Sequence, residues 1–198
     1  MTISFAVSWD YLCPFARNAH EHLLAGLEGG ASWDVTFTAF SLGQAHVAEG
    51  EPDIWDLPEA QRYLYALAAG VTVRDTEPDR FPAFHHAMFG ARHDAGRDIR
   101  EESVVREVVT EQGLDADTVF DHFDKAVATI RDEHTSAVTE HAMFGVPTFV
   151  AGDRAVFVRL MNRPEGNSEK ATQTIDGVMR VFEEMPNLNE YKFTKIPR

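Results

Sequence analysis

The chain has 198 residues, 44% of them hydrophobic and 25% charged, with a formal net charge of −14. That balance suits a soluble globular protein long enough to bury a sizeable core, as one large domain or a domain with an insertion. A surface this acidic repels phosphate backbones and anionic bilayers, so neither nucleic acid nor a membrane is an expected partner.

The opening "MTISFAVSWDYL" has no basic n-region and no long apolar stretch, so no signal peptide is expected. No apolar run approaches the roughly 18 residues of a membrane span. Cys13 is the only cysteine. It has no partner for an internal disulfide, which favours a reducing, cytoplasmic location.

"ISFAVSW" (3–9) is almost continuously apolar and reads as a buried strand closed by Asp10. A helix follows from Pro14 to about Glu28, with Phe15, Ala19, Leu23 and Leu27 at spacing four. Proline suits the first helical position, and Gly29-Gly30 ends the helix. "SWDVTFTAF" (32–40) alternates and reads as a second strand. β-α-β order favours parallel pairing and an α/β fold.

From about 50 to 142 the pattern is helical. Helices are expected over 57–70, 79–96 and 100–113, the last with Val104, Val105, Val108 and Val109 on one face. The stretch 115–144 opens with an Asp cap and is expected to break near 132–134. "VPTFVAGDRAVFV" (146–158) then reads as a hairpin, and a last helix is expected from Ser168 to Glu184. The tail 186–198 is locally basic, with Lys192, Lys195 and Arg198. This order describes a sheet domain over 1–50 and 143–198, interrupted by a helical insertion over 51–142.

Cys13 falls at the start of the first helix, where unpaired N–H groups and the helix dipole favour a thiolate nucleophile. The plain alternative is a small buried residue. The nine histidines form no metal-ligand pattern, and neither HExxH nor paired CxxC occurs. His20 lies about two turns beyond Cys13, too far to act as its base. Most of the histidines are expected at the surface or at helix caps. The acidic runs at 98–102 and 115–117 read as helix starts.

Three stretches, "DYLCPFA" (10–16), "FHHAMFGARHDAGRDI" (84–99) and "FGVPTFVAGD" (144–153), resemble the DsbA-like branch of the thioredoxin superfamily. That branch includes FrnE-type oxidoreductases, 2-hydroxychromene-2-carboxylate isomerases and kappa-class glutathione transferases. The resemblance spans nearly the whole chain. It implies a thioredoxin-like α/β fold with an all-helical insertion, and a cis peptide at Val146-Pro147 facing Cys13. It also implies Cys13 as the catalytic residue, with Tyr11, Pro14, Phe15, Val146 and Pro147 binding substrate or thiol. Trp9 flanks the site, with core packing its expected role.

The departures shape the chemistry. Ala16 stands where dithiol members carry a resolving cysteine. The isomerases and kappa transferases carry serine in place of Cys13. Their Gly-Ser-Asp-type turn is absent; "RLMNRPEGN" (159–167) stands there, so their glutathione site does not carry over. Arg159, Asn162 and Arg163 either serve another anionic thiol or form a solvated loop.

The expected function is therefore single-cysteine thiol-disulfide exchange. It has no tightly bound cofactor, and its co-substrate is a low-molecular-weight thiol such as glutathione or mycothiol. A thiol-dependent transferase or isomerase, and a non-catalytic groove-binding protein, are the alternatives. The partner expected is a small thiol or disulfide, and a homodimer stays open.

Overall fold

A computed structural model of the chain describes residues 2–190 and residue 192. Strand β1 (Ile3–Trp9) pairs in parallel with β2 (Trp33–Ala39) and antiparallel with β3 (Thr148–Ala151). β3 turns into the antiparallel β4 (Arg154–Phe157), giving the sheet order β2-β1-β3-β4. Helix α1 (Pro14–Glu28) links β1 to β2, and α8 (Ser168–Glu184) packs along it. Phe5, Val7, Leu23, Phe149, Ile175 and Phe182 bury the contact between the sheet and these two helices.

Every regular element between β2 and β3 is helical: α2 (Leu42–Ala45), 3-10 turns at Ile54–Asp56 and Pro58–Tyr63, then α3 (Tyr65–Thr76), α4 (Phe81–His93), α5 (Glu102–Glu111), α6 (Ala116–Asp121) and α7 (Phe123–His141). Their core runs without interruption onto Trp9, Tyr11, Cys13 and Val146. The helical block thus forms one wall of the cysteine's surroundings.

Local chemistry explains where the elements depart from the sequence reading. The expected helix 57–70 is a 3-10 segment followed by α3. Pro58 holds Leu57 extended, at φ −112° and ψ 111°. The helix then runs past Gly70, because that glycine is not a stop. A Cβ there would sit 2.6 Å from the Tyr11 hydroxyl. The expected break at 132–134 is also absent. The chain turns at His122, and α7 continues unbroken to a left-handed Ala142 (φ 50°). In the tail, Lys192 pairs with Glu190 at 2.5 Å, whereas Lys195 and Arg198 lie outside the described residues.

The histidines give the largest correction. His20, His22, His85 and His134 are buried. Three of the contacts around them form a line. The Tyr11 hydroxyl meets His85 Nδ1 at 2.7 Å, His85 Nε2 meets His20 Nδ1 at 2.9 Å, and His20 Nε2 meets the Ser8 carbonyl at 3.1 Å. A carbonyl can only accept, so His20 Nε2 carries its proton and its Nδ1 accepts. The same logic places the His85 proton on Nε2 and makes Tyr11 the donor at the far end. Every bond is satisfied with both rings neutral, and an added proton would have to displace a donor. Burial accordingly pushes His20 down to about 4 from 6.5, with His85 well below 6.5.

Asp10 is buried at the end of β1, accepting from the Leu12 and Leu42 amides at 2.9 and 2.8 Å. Burial outweighs these bonds and raises it to about 6.

Two outcomes follow. Gly70→Ala forces Tyr11 and the His85 bond to shift and costs about 1–3 kcal/mol in chemical denaturation; an unchanged midpoint would show that Tyr11 is not packed there. Second, unfolding returns His20 to its ordinary value, so the unfolded state binds more protons between pH about 4 and 6.5. Stability therefore falls on acidification through that window, by about 3 kcal/mol for this group. His134, pushed down to about 4 by burial, acts in the same direction. Asp10 opposes them, since its raised value favours the folded state at low pH. With five histidines lowered by burial (His20, His22, His85, His93 and His134) against one raised carboxyl, thermal unfolding from pH 7 to 4.5 is expected to show a net loss, and His20→Gln a shallower slope.

Candidate active site around Cys13

β1 ends by delivering residues 10–13 to the top of the sheet, where the Cys13 amide donates to the Asp10 carbonyl at 3.1 Å. Cys13 is itself the N-cap of α1: its Sγ accepts from the Ala16 amide at 3.4 Å, with Pro14 in the first helical position. Facing it is the segment before β3, with the Val146-Pro147 peptide in the cis form. The Cys13 thiol donates to the Val146 carbonyl at 3.2 Å. Residues 133 positions apart in sequence thus meet through one sulfur.

The thiol is nearly covered, at 8% exposure. Burial raises it above its ordinary value, the Ala16 and Phe15 amides pull it down, and the Asp10 charge pushes it further up. Burial is the largest of these influences and favours the neutral thiol. Of the two readings the sequence left open, a thiolate and a small buried residue, this environment favours the buried thiol.

Of the other sequence candidates, Pro14 is exposed, Phe15 is half-buried, and Val146 and Pro147 are buried. The Pro147 carbonyl accepts from the Val158 amide at 3.1 Å, while the Val146 N–H has no hydrogen-bond partner among the described residues. Phe144 stands 72% exposed beside this edge, its ring 5.1 Å from Phe157. Tyr11 does not line the groove: it is 0% exposed, with its hydroxyl turned to His85. Trp9 is also fully buried.

The loop after β4 divides into two kinds of arginine. Arg163 is committed, at 2.5 Å from Glu21 and 3.4 Å from Asp94, and Arg17 bonds the same two carboxylates. Arg159 is exposed, with its guanidinium over the Phe15 ring at 5.4 Å. Asn162 is exposed too. No group of three or more His, Cys, Asp or Glu able to hold a metal ion occurs among the described residues, and no helix among them is long and apolar enough to cross a membrane. Sequence reasoning overlooked Phe144 and Asp10. Phe144 was legible as an aromatic two residues before Val146, and Asp10 as the only carboxylate in the 8–16 stretch.

Comparison with known proteins agrees with this architecture. No curated protein matches the chain. Among solved structures, the cytosolic disulfide reductase DsbM from Pseudomonas aeruginosa with GSH is similar at 18% identity and a TM-score of 0.62, over 90% of this chain and 100% of that one. A 2-hydroxychromene-2-carboxylate isomerase is similar at 17% identity and a TM-score of 0.61, over 94% and 100%. A thioredoxin-like oxidoreductase from Silicibacter pomeroyi DSS-3 is similar at 20% and 0.59, over 91% and 86%. At these identities the likeness is one of fold. The family model of the DSBA-like thioredoxin domain matches residues 6–162, and the chain belongs to that family.

Proposed function

We propose that this protein is a thiol-disulfide oxidoreductase acting through Cys13 alone, with an external low-molecular-weight thiol in place of a second cysteine. The observation that carries the reading is the placement of the lone sulfur between the α1 amides and the backbone of Val146. An extended substrate pairing with the Val146 edge would compete for the carbonyl that holds the thiol proton. The sulfur would then keep only the helix amides as partners, which favour the thiolate.

The chemistry balances without a metal or bound cofactor. The Cys13 thiolate attacks a disulfide RSSR, forming Cys13–S–S–R and releasing RS⁻. An external thiolate R′S⁻ then attacks the R sulfur of that mixed disulfide, forming RSSR′ and returning Cys13 as thiolate. Ala16 cannot take this second part, so turnover depends on the external thiol. The DsbM structure is described as cytosolic and with GSH, which supports both a small thiol partner and a cytoplasmic, reducing location for this reading.

One observation favours a second reading. A thiol at 8% exposure and raised by burial suits a groove that binds without reacting. The two are separated by incubating the native protein with 2-hydroxyethyl disulfide and reading intact mass. The oxidoreductase reading predicts a single adduct at Cys13 that excess 2-mercaptoethanol removes, and a loss of disulfide turnover of about 100-fold or more in Cys13→Ser. No adduct on the folded protein, with turnover indifferent to Cys13→Ser, would establish the non-reactive groove instead.

A further inference from the structure

We infer that Asp10 is a positioning residue for Cys13: one buried carboxylate ties the turn that carries the cysteine to the first helix of the helical block, and so sets the exposure and the ionisation of the thiol. The inference rests on the functional reading above only in taking Cys13 as the reacting group.

Asp10 makes three bonds around this turn. Its carbonyl accepts from the Cys13 amide at 3.1 Å, and its Oδ1 accepts from the Leu12 amide at 2.9 Å. These two close the turn on itself. The third leaves it: Oδ2 accepts from the Leu42 amide at 2.8 Å. Leu42 opens α2, 32 positions later, and the first amides of a helix have no partner within it. The Phe40 amide donates to the Trp9 carbonyl at 3.0 Å, so the chain entering α2 already runs beside the end of β1. From the other side, His93 Nε2 of α4 meets the Tyr11 carbonyl at 2.9 Å. The turn is thus held to the helical block at two points, and Asp10 supplies one of them with its own side chain.

Two amides that converge on one side chain select a carboxylate. Asparagine would accept one of them with its oxygen and turn its NH₂ toward the other, donor against donor. A buried charge is costly unless hydrogen-bonded, and here both oxygens are bonded. With both oxygens occupied, and the Cys13 S–H directed to Val146, Asp10 is not the base that takes the thiol proton. It acts on the cysteine through the shape of the turn and through its charge, which opposes ionisation of the thiol. The titratable groups around Asp10 are His46 at the far end of α2, whose charge favours the carboxylate, and Tyr11 and Cys13 in its own turn.

The test is iodoacetamide alkylation of Cys13 against pH in the native protein, Asp10→Asn and Leu42→Pro. The limiting rate at full ionisation reports exposure, and the midpoint reports the charge nearby. Leu42→Pro keeps Asp10 and deletes the amide that Oδ2 accepts. Proline fits the first helical position, and Ser41 before it is already extended, at φ −75° and ψ 115°. Releasing the turn is expected to raise the limiting rate about 3–10-fold in both variants. The midpoint is expected to fall by about 0.5–1 in pH in Asp10→Asn, and by less in Leu42→Pro, which keeps the charge. A residue with a merely structural role would lower stability and leave the midpoint in place. The native limiting rate in both folded variants, or the native midpoint in Asp10→Asn, would overturn the inference. If Asp10→Asn does not fold, the limiting rate of Leu42→Pro decides. Adduct formation with 2-hydroxyethyl disulfide reports separately on the oxidoreductase reading, so either claim can fail alone.

Discussion

The site depends on one contact, between the Cys13 thiol and the Val146 carbonyl at 3.2 Å. A thiol is a weak donor, and the bond contributes at most about 1 kcal/mol by itself. Its importance is directional. The amides of α1 can stabilise a thiolate only after the proton has left, and the nearest acceptor for that proton is a neutral carbonyl that cannot keep it. Burial raises the thiol above its ordinary value, and the Val146 carbonyl is the acceptor its S–H meets. The strand edge that would dock a substrate and the atom that restrains the nucleophile are therefore the same backbone unit.

The rest of the fold keeps that unit in place. β1 carries residues 10–13 upward, and Ser8 locks β1 to β3, its hydroxyl accepting from the Thr148 amide at 3.0 Å. Behind the cysteine, the Tyr11–His85–His20–Ser8 line crosses from the helical block to the sheet through four satisfied groups. Such buried polar chains are costly when broken, because each member would be left without a partner. Their effect here is to fix α4 against α1 and β1, which fixes the back wall of the site. On the open side, Glu21 and Asp94 gather Arg17 and Arg163 and hold the loop after β4 close to α1. Arg159 is left out of that network and lies over the Phe15 ring.

Elements punctuated by local chemistry were legible in the sequence. Pro14 and Gly29 bracket α1, and Asn167 caps α8 by accepting from the Lys170 amide at 2.9 Å, so Pro14–Glu28 and Ser168–Glu184 emerge with their observed limits. Elements decided at long range were not. Gly70 looks like a helix stop until Tyr11, 59 positions earlier, is seen filling the space beside it. His85 reads as a surface or cap residue, and His20 only as a possible neighbour of the α1 apolar stripe, because their partners lie far away in sequence. Likewise, no local pattern reveals that Glu21 neutralises Arg163, nor that the cysteine at a helix start faces a carbonyl. The pairing of a Cys-Pro helix start with a Val-Pro strand start did locate the two halves of the groove. What it missed was the protonation state they produce together.

Because Cys13 is the only cysteine, its ionisation can be read without a variant. The most direct measurement is the rate of iodoacetamide alkylation of the native protein across pH 6 to 10. The account predicts a single titration above the ordinary thiol value of about 8.5, in a protein that remains folded. A reaction pKa well below about 7 would contradict it, since the thiol would then be ionised at rest and the Val146 carbonyl would not be holding its proton.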